Sequence, residues 1–383
     1  MSRKNLATNL RTAPGRQHQT LVQCPLLTRQ PVSPKDLRIT EDLLFSINSY
    51  ISGMYNQKAW LPVRYDYLDT SSDRQRDARQ TLDKFYAGCM SAFTLLQAKS
   101  FVEGQKVLSN ACSLVRSIIL SSHPETLGRF LDIFHDLQRE KFGPLTEVLN
   151  LLRSYVGRMA MEILPRGHPW RNICCLLGRI EMSNLDQTML VSIKSVADVS
   201  AKEGGRFSNV HLRDQLLYVQ WAHGNHLSEE ERALRQLLSE VQVASSCHPQ
   251  IFSILQYLSI NLRKQGRFAD CETLGKEKIS LAQSYGTTQN LFLGFLITAM
   301  AQYSQGKNAQ AEANQRQAVS IQLAQLDPQR FTWAIRHLAQ LESWLREWGR
   351  LSDAEETKAE IDSLIKQDTA VEEELLGINE EKD

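Results

Sequence analysis

Apolar positions recur at helical spacing over most of the chain, and in its second half they are organised into repeated units. Four glycines, Gly224, Gly266, Gly306 and Gly349, each follow an apolar-rich segment of helix length, at spacings of 42, 40 and 43 residues. Glycine tolerates a positive φ, so it can end a helix and allow the chain to turn back. A period of this size is typical of two-helix repeats. We therefore predict that each glycine separates the first helix of a repeat from the second.

Small side chains near these glycines support the same division. Cys271, Ala311 and Ala354 each stand five positions after a glycine, on the predicted second helix. A small residue where two helices cross allows their backbones to approach closely, whereas a large one would hold them apart. We expect these three positions to be buried at the crossing of the two helices.

Prolines mark the predicted helix starts. Pro124, Pro169, Pro249 and Pro328 fall where a first helix should begin, and proline at the first helical position loses no hydrogen bond. No segment shows the sustained alternation typical of strands. The pattern predicts a lone helix near 41–59, followed by seven helix pairs. The predicted pairs are 73–97 with 101–121, 124–141 with 144–164, 169–182 with 186–203, 207–223 with 228–244, 249–265 with 268–284, 288–305 with 309–326, and 328–348 with 351–367.

Charge separates the two ends of the chain from its middle. Residues 1–35 contain six basic side chains and no acid, whereas residues 367–383 contain seven acids and one lysine. Segments of this kind are usually solvated tails. We divide the chain into a basic disordered tail (1–39), N-terminal helical hairpins with a capping helix and loop (40–205), helical repeats (206–367) and an acidic tail (368–383).

The repeats resemble known families. The C-terminal units are similar to tetratricopeptide repeats of the longer, kinesin-light-chain-like period, in which His-Pro or Asp-Pro opens a repeat. A narrower resemblance, to the helical region of fungal cryptic-loci-regulator-type (Clr-type) proteins, lies in five segments. These are Tyr50-Ile51-Ser52-Gly53, Trp60, His123-Pro124-Glu125-Thr126-Leu127, Leu151-Leu152-Arg153-Ser154-Tyr155-Val156 and His168-Pro169.

These resemblances imply an all-α fold, a right-handed solenoid of about seven antiparallel helical hairpins of the tetratricopeptide-like kind. Clr-type proteins typically begin with a small DNA-binding domain rich in Trp, Lys and Tyr, and this sequence contains no such domain. The resemblance therefore implies the helical-repeat interaction region of a fungal intracellular protein.

Composition narrows the setting in which the protein acts. Hydrophobic residues make up 42% of the chain and charged residues 23%, with a formal net charge of +1. Such a balance indicates neither nucleic-acid binding nor attraction to an anionic membrane. The longest apolar stretch, 291–301, is too short to span a bilayer, and no signal peptide is apparent. The seven scattered cysteines suit reduced thiols. We expect an intracellular protein, nuclear or cytoplasmic, that makes no contact with a membrane.

Motifs of catalysis are not found in the sequence. It contains no Gly-rich phosphate loop, nucleophile elbow or His-Glu-x-x-His motif. His223 and His226 flank Gly224 without further ligands at zinc spacing. We therefore predict no cofactor, no metal and no enzymatic activity. An enzyme whose site is assembled from distant residues stays the alternative.

The first helices of the stacked repeats provide the candidate binding residues. If a glycine ends each first helix, fixed positions before it should face a groove. The predicted groove residues are Asp214, Tyr218, Trp221, Gln256, Arg263, Lys264, Tyr303, Arg336 and Arg346. Aromatic side chains supply contact area and cations bind acidic groups, so the mixture suits an extended peptide. We predict a scaffold that binds a protein or peptide partner, with a nucleic-acid- or chromatin-associated regulatory factor as the alternative; nothing in the pattern indicates its oligomeric state.

Overall fold

A computed structural model gives the fold, and every element in the part of the chain that it describes is a helix. The described residues are 35–60, 73–121, 123–139, 145–224, 226–245, 248–325 and 330–375. The basic residues 1–34, the loop 61–72 and the final acidic residues 376–383 lie outside them. The helices are α1 (Lys35–Asn56), α2 (Asp73–Gln97), α3 (Phe101–Ser113), α4 (Val115–Leu120), α5 (Thr126–Arg139), α6 (Thr146–Ile163), α7 (Pro169–Leu177), α8 (Met182–Gly204), α9 (Asn209–His223), α10 (Leu227–Ala244), α11 (Gln250–Lys264), α12 (Phe268–Tyr285), α13 (Thr288–Ser304), α14 (Asn308–Leu323), α15 (Arg330–Glu347) and α16 (Leu351–Leu375).

Most helix boundaries lie close to those predicted, and the differences are local. The predicted helix 101–121 is interrupted at Leu114, which separates α3 from α4. At the C-terminal end, α16 continues to Leu375 and so includes the first residues of the predicted acidic tail. Similarly, α1 begins at Lys35, within the stretch assigned to the basic tail.

Three helix starts share one arrangement built on a His-Pro pair. His123, His168 and His248 each accept, at Nδ1, the backbone N–H of the second residue that follows, at 3.1–3.2 Å. This imidazole nitrogen takes the place of the side-chain oxygen of a Ser or Asp cap. Burial lowers the pKa of all three histidines, which favours the neutral ring that such a bond requires. The His-Pro pairs of the sequence therefore mark helix starts for a specific physical reason.

Three of the four turn glycines end a first helix in the way expected. Gly266, Gly306 and Gly349 have φ of 74°, 72° and 76°. The N–H of the residue after each glycine donates to the carbonyl five positions earlier, at 2.9–3.0 Å. This bond satisfies a carbonyl that the helix end leaves unpaired. Gly224 differs, because its φ is −59° and so lies in the right-handed region.

The small residues after the glycines occupy buried crossings. Cys271, Ala311 and Ala354 are each no more than 2% exposed. Ala311 and Ala354 belong to one apolar cluster with Leu341, which lies on the first helix α15. The expectation that these positions lie buried where helices meet is confirmed.

The two halves of the chain pack in different ways. From α9 to α16 each helix packs on the helix that follows it, and α11 also contacts α9 and α13. In the N-terminal half, α1 lies against α7 and α8, and Asn48 on α1 donates to Ser195 on α8, 147 residues later. One core of buried side chains extends from Leu43 to Leu217, whereas the C-terminal half has several smaller clusters.

A polar ladder joins successive helix pairs in the C-terminal half. The cation that follows a turn glycine pairs with a glutamate on the second helix of the preceding pair. Arg267 meets Glu231 at 2.7 Å and Lys307 meets Glu272 at 2.7 Å, and Arg350 pairs with a glutamate of α14 in the same way. The same type of ion pair thus connects each helix pair from α11–α12 onwards to the one before it.

Glu272→Gln is expected to lower the free energy of unfolding by about 2 kcal/mol. The carboxylate is 5% exposed and accepts bonds from Gln302, Gln305, Lys276 and Lys307. Burial would raise the pKa of Glu272, but these four donors outweigh it and lower the pKa to about 2. A carboxyl whose pKa is depressed on folding stabilises the fold above its ordinary pKa, and the contribution is lost as the pH falls towards 2.

Urea unfolding of both proteins at neutral pH and at about pH 3 measures this effect, and the gap should narrow at the lower pH. Glu277→Gln on the same helix is the matched control, because Glu277 forms no ion pair within the described residues. Equal stability of Glu272→Gln and the unmodified chain at neutral pH would show that the ladder contributes nothing.

Across the described ranges, no helix combines the length and the apolar character that crossing a membrane requires.

Candidate functional site

One row of predicted groove residues occupies the same position relative to three successive turn glycines. Trp221, Arg263 and Tyr303 each stand three residues before a turn glycine, near the end of α9, α11 and α13. Each contacts a neighbouring helix. Trp221 reaches α5, Arg263 reaches α13 and Tyr303 reaches α15. Each of the three therefore lies on the surface where its helix meets a helix that is not its neighbour in the sequence.

Aromatic rings form the part of this surface between α13 and α15. Tyr303 stacks on Trp344 with ring centroids 4.4 Å apart and planes 11° apart, and Trp348 lies 6.1 Å from Tyr303. The Tyr303 hydroxyl donates to Glu347. Met300 packs against the same cluster and contacts Arg263 through its sulfur, 3.6 Å from Nη1. The structure thus brings Arg263 and Tyr303 together on a half-buried aromatic patch.

Three of the predicted groove cations have no acidic partner. Arg263, Lys264 and Arg336 form no ion pair within the described residues. Lys264 is exposed on α11, and the guanidinium of Arg336 lies 5.7 Å above the ring of Trp333, which is 38% exposed. These three positive charges are available to an acidic ligand, because no carboxylate of the described chain neutralises them.

Two other predicted groove residues, Arg346 and Asp214, form ion pairs with residues of the chain itself. Arg346 pairs with Glu342 at 2.9 Å and Glu355 at 2.7 Å, so it joins α15 to α16. Asp214 is fully buried and pairs with Arg213 at 2.6 Å. A ligand could reach either charge only by displacing these partners.

Gln256 and Tyr218 lie beside lysines. The Gln256 side-chain oxygen accepts a bond from Lys278 Nζ at 3.2 Å, and Lys278 also donates to the Phe252 carbonyl at 3.1 Å. Lys194 of α8 lies 5.7 Å from the ring centroid of Tyr218. Neither Gln256 nor Tyr218 contacts the aromatic patch in the observed packing.

A second group of functional candidates, which we name the α5–α9 cluster, combines two predicted groove residues, Asp214 and Trp221, with six residues that were not predicted. Its members on α5 share one face of that helix, and those on α9 face them. The cluster consists of Glu125, Arg129, Asp132, His135, Asp136, Arg213, Asp214 and Trp221.

Ion pairs bridge the two sides of the α5–α9 cluster. Arg213 pairs with Glu125 at 3.1 Å as well as with Asp214. Burial would raise the pKa of Glu125, but the positive charges of Arg213, Arg79, His123 and Arg129 together outweigh it, and the pKa falls to about 2. Gly128 makes room for this bridge, because a Cβ there would overlap the side chains of Arg213 and Asp214. The deeper end of the cluster is therefore closed by its own charges.

At the outer end of the cluster, the carboxylates have fewer positively charged neighbours to offset their negative charge. Asp132 and Asp136 are one helical turn apart, and Arg129 is shared between Asp132 at 3.5 Å and Asp83 of α2 at 3.1 Å. Burial, followed by the charge of Asp136, raises the pKa of Asp132 to about 7. Arg129 and Arg213 lower this pKa, but they do not offset the combined effect of burial and the charge of Asp136.

Aromatic rings surround this outer end. The Tyr86 hydroxyl donates to Asp136 at 2.8 Å, and the ring of His135 stacks on Trp221 with centroids 4.0 Å apart. Burial, and then the charge of Asp132, raises the pKa of Tyr257 on α11 to about 12. The influence of Asp132 on Tyr257 places α11 beside the same charges.

The spacing of polar residues on α5 carries a signal that sequence analysis could have used. Glu125, Arg129, Asp132 and Asp136 follow one another at intervals of three or four residues, so they share one face. That pattern usually indicates a solvated face, but in the structure α2 and α9 lie on either side of it.

Among the described residues, no three His, Cys, Asp or Glu side chains come together in a way that could hold a metal ion. Comparison of the sequence with protein-family models gives no match, and a comparison with curated proteins gives none either.

Proposed function

We propose that the chain is a non-enzymatic scaffold, a right-handed solenoid of antiparallel, tetratricopeptide-like hairpins whose first helices line a groove for an extended segment of a partner protein. The observation that carries the proposal is the row formed by Trp221, Arg263 and Tyr303. Equivalent positions of three successive repeats carry side chains that meet the neighbouring helix and leave cations unpaired beside it. Repeat stacking generates such a surface without any catalytic arrangement.

The packing of α9 to α16 supports this proposal. Helices that follow one another in sequence pack together, and alternate first helices touch as well. In a solenoid the first helices of neighbouring repeats lie side by side and form an extended surface. Aromatic anchors and unpaired cations on such a surface suit a segment that carries both apolar and acidic residues.

Selection of random displayed peptides on the full chain tests the proposal. Arg263→Glu with Lys264→Glu should weaken binding of an enriched peptide at least tenfold, because two cations that bind its acidic groups become anions. Arg232→Glu with Lys358→Glu is the matched control. It reverses two exposed charges on the second helices α10 and α16, and we expect it to leave binding unchanged.

Two results would count against the proposed function. One is a selection that enriches no peptide over an unrelated protein. The other is an enriched peptide that binds the Arg263→Glu, Lys264→Glu variant as tightly as it binds the unmodified chain. Binding of the unmodified chain to duplex DNA of random sequence, weakening steeply with salt, would instead favour the nucleic-acid-associated alternative.

A further inference from the structure

The outer end of the α5–α9 cluster has more negative than positive charge. Around α5 the carboxylates are Asp83, Glu125, Asp132, Asp136 and Asp214, and the arginines near them are Arg79, Arg129 and Arg213. Arg213 pairs with the deeper Glu125 and Asp214, and Arg79 acts on the same Glu125. The guanidinium that pairs with the outer carboxylates Asp83 and Asp132 is that of Arg129.

A buried histidine beside these carboxylates has an unused polar atom. His135 is 8% exposed, and its Nδ1 makes no hydrogen bond in the described chain. That nitrogen lies 3.7 Å from Asp136 Oδ1, so it is directed towards the acidic side of the cluster. Buried polar atoms of native proteins usually have a hydrogen-bond partner, and one that lacks it needs an explanation. A ligand that binds between His135, Asp136 and Asp132 would supply the missing hydrogen-bond partner.

Aromatic surfaces at the same place favour a guanidinium. The Arg129 guanidinium already lies 5.5 Å from the centroid of the Tyr86 ring, while Trp221 stacks on His135. A planar cation can pair with carboxylates through several N–H groups and also lie against aromatic faces. The surroundings therefore suit the side chain of an arginine better than a compact ammonium ion. A phosphate would meet the excess negative charge and be repelled.

Resting on the proposed scaffold function, we propose that the acidic recess formed by Asp83, Asp132, His135, Asp136 and Trp221 binds an arginine side chain of the partner segment. The charge of Asp132 in the recess acts on Tyr257 of α11. Arg263 and Lys264, which form no ion pair within the described residues, lie further along the same helix. The surface thus has an acidic end at α5 and a basic part at α11. A bound segment is oriented with a basic residue at the recess and acidic residues towards α13.

Fluorine NMR of the full chain labelled with 5-fluorotryptophan tests the recess directly. The chain has six tryptophans, and Trp221→Phe identifies the Trp221 resonance. The probe is N-acetyl-arginine amide, which should shift that resonance in a saturable manner, with a dissociation constant on the order of 1 mM. N-acetyl-citrulline amide has nearly the same shape without the charge, and it should produce no saturable shift.

Two variants locate the response. Asp136→Asn and Asp132→Asn each remove one negative charge with little change of volume, and each should abolish the saturable shift of Trp221. Asp353→Asn on α16 is the matched control and should leave it intact. If one of these two variants does not fold, the other still tests whether the recess carboxylates are required. The comparison of the arginine and citrulline derivatives uses the unmodified chain and needs no variant.

The inference is overturned if the arginine derivative produces no saturable shift at Trp221, if the citrulline derivative acts equally, or if a folded Asp132→Asn or Asp136→Asn variant retains the response. The scaffold proposal and the proposal of an arginine site can fail independently of each other. The recess test needs only one amino-acid derivative, so it can succeed where peptide selection fails, and selected peptides can bind at Arg263 while the recess remains inert.

Discussion

Arg153→Met is expected to lower the free energy of unfolding by about 3–5 kcal/mol, the cost of breaking a fully buried charged network. Arg153 lies on α6 and is 1% exposed. Its Nε and Nη2 donate to the Leu177 carbonyl at 2.9 and 2.7 Å, and Nη2 also donates to the Ile180 carbonyl. Burial lowers the pKa of Arg153 to about 10, so the side chain is still charged at neutral pH.

The physical reason lies at the end of α7. The last carbonyls of a helix have no partner within the helix, and they carry the negative end of its dipole. Arg153 satisfies Leu177 and Ile180 at the point where α7 ends and the chain turns into α8. Methionine fills a similar volume but donates nothing, so both carbonyls would stay buried without a partner.

Urea unfolding monitored by circular dichroism measures the change. Arg158→Met is the matched control, because Arg158 is exposed on the same helix, and we expect a change within about 0.5 kcal/mol. A loss of less than about 1 kcal/mol for Arg153→Met would show that water or a shifted backbone replaces the arginine.

Lys278→Met is expected to stabilise the protein by about 2–4 kcal/mol at pH 6, because it removes a buried charge that has no acidic partner. Lys278 is 1% exposed, and its two acceptors are the neutral oxygens of Phe252 and Gln256. Burial lowers the pKa of Lys278 to about 7 from its ordinary value of 10.5. At about 1.4 kcal/mol per pKa unit, this lowering corresponds to a destabilisation of roughly 5 kcal/mol, part of which the two hydrogen bonds of the amine offset.

The sign of the pH dependence follows from this lowered pKa. The folded chain holds fewer protons at Lys278 than the unfolded chain between about pH 7 and 10.5. The free energy of unfolding therefore rises with pH between about pH 7 and 10.5 because of this residue. Below about pH 7 the buried amine is charged, and its destabilising effect is at its full size. The advantage of Lys278→Met should shrink steadily as the pH is raised towards 10.

The measurement is the difference in unfolding free energy between variant and unmodified chain at several pH values. Other groups, such as buried tyrosines and cysteines, titrate in both proteins and cancel in the difference. Lys264→Met, at an exposed site on α11, should give a difference that does not vary with pH. A pH-independent difference for Lys278→Met would contradict the lowered pKa of Lys278.

Local features of the sequence predicted most of the helices, because their ends are local chemistry. A glycine such as Gly306 takes a positive φ, and a His-Pro pair such as that at His168 supplies a helix start, whatever the rest of the chain does. The small residue Ala311 is similarly required by the crossing of two helices that are adjacent in sequence.

Contacts between distant parts of the chain could not be predicted in the same way. The packing of α1 on α8 joins segments more than a hundred residues apart, and no period connects them. Arg153 and Asp132 look like members of solvated helix faces, since charged residues are rarely buried. Their burial depends on which helices cover α6 and α5, and this follows from the complete packing of the N-terminal half.

The candidate site likewise has features that the sequence predicts and features that depend on contacts between distant segments. Repeat spacing placed Trp221, Arg263 and Tyr303 at equivalent positions, and the structure gives each a contact with a neighbouring helix. The spacing could not show that Asp214 is engaged by its neighbour Arg213, because that pair depends on Glu125 and Gly128 of α5. Both partners lie outside the periodic half of the sequence.

The polar ladder of the C-terminal half also makes this part of the molecule extensible. Glu272 and Lys307 stand in the same relation as Glu312 and Arg350, so the helix pair α13–α14 offers an acid to the pair after it and a cation to the pair before it. A copy of this helix pair inserted beside it would meet matching charges on both sides. Such an insertion would lengthen this half of the chain by one helix pair while it uses the same charged contacts again.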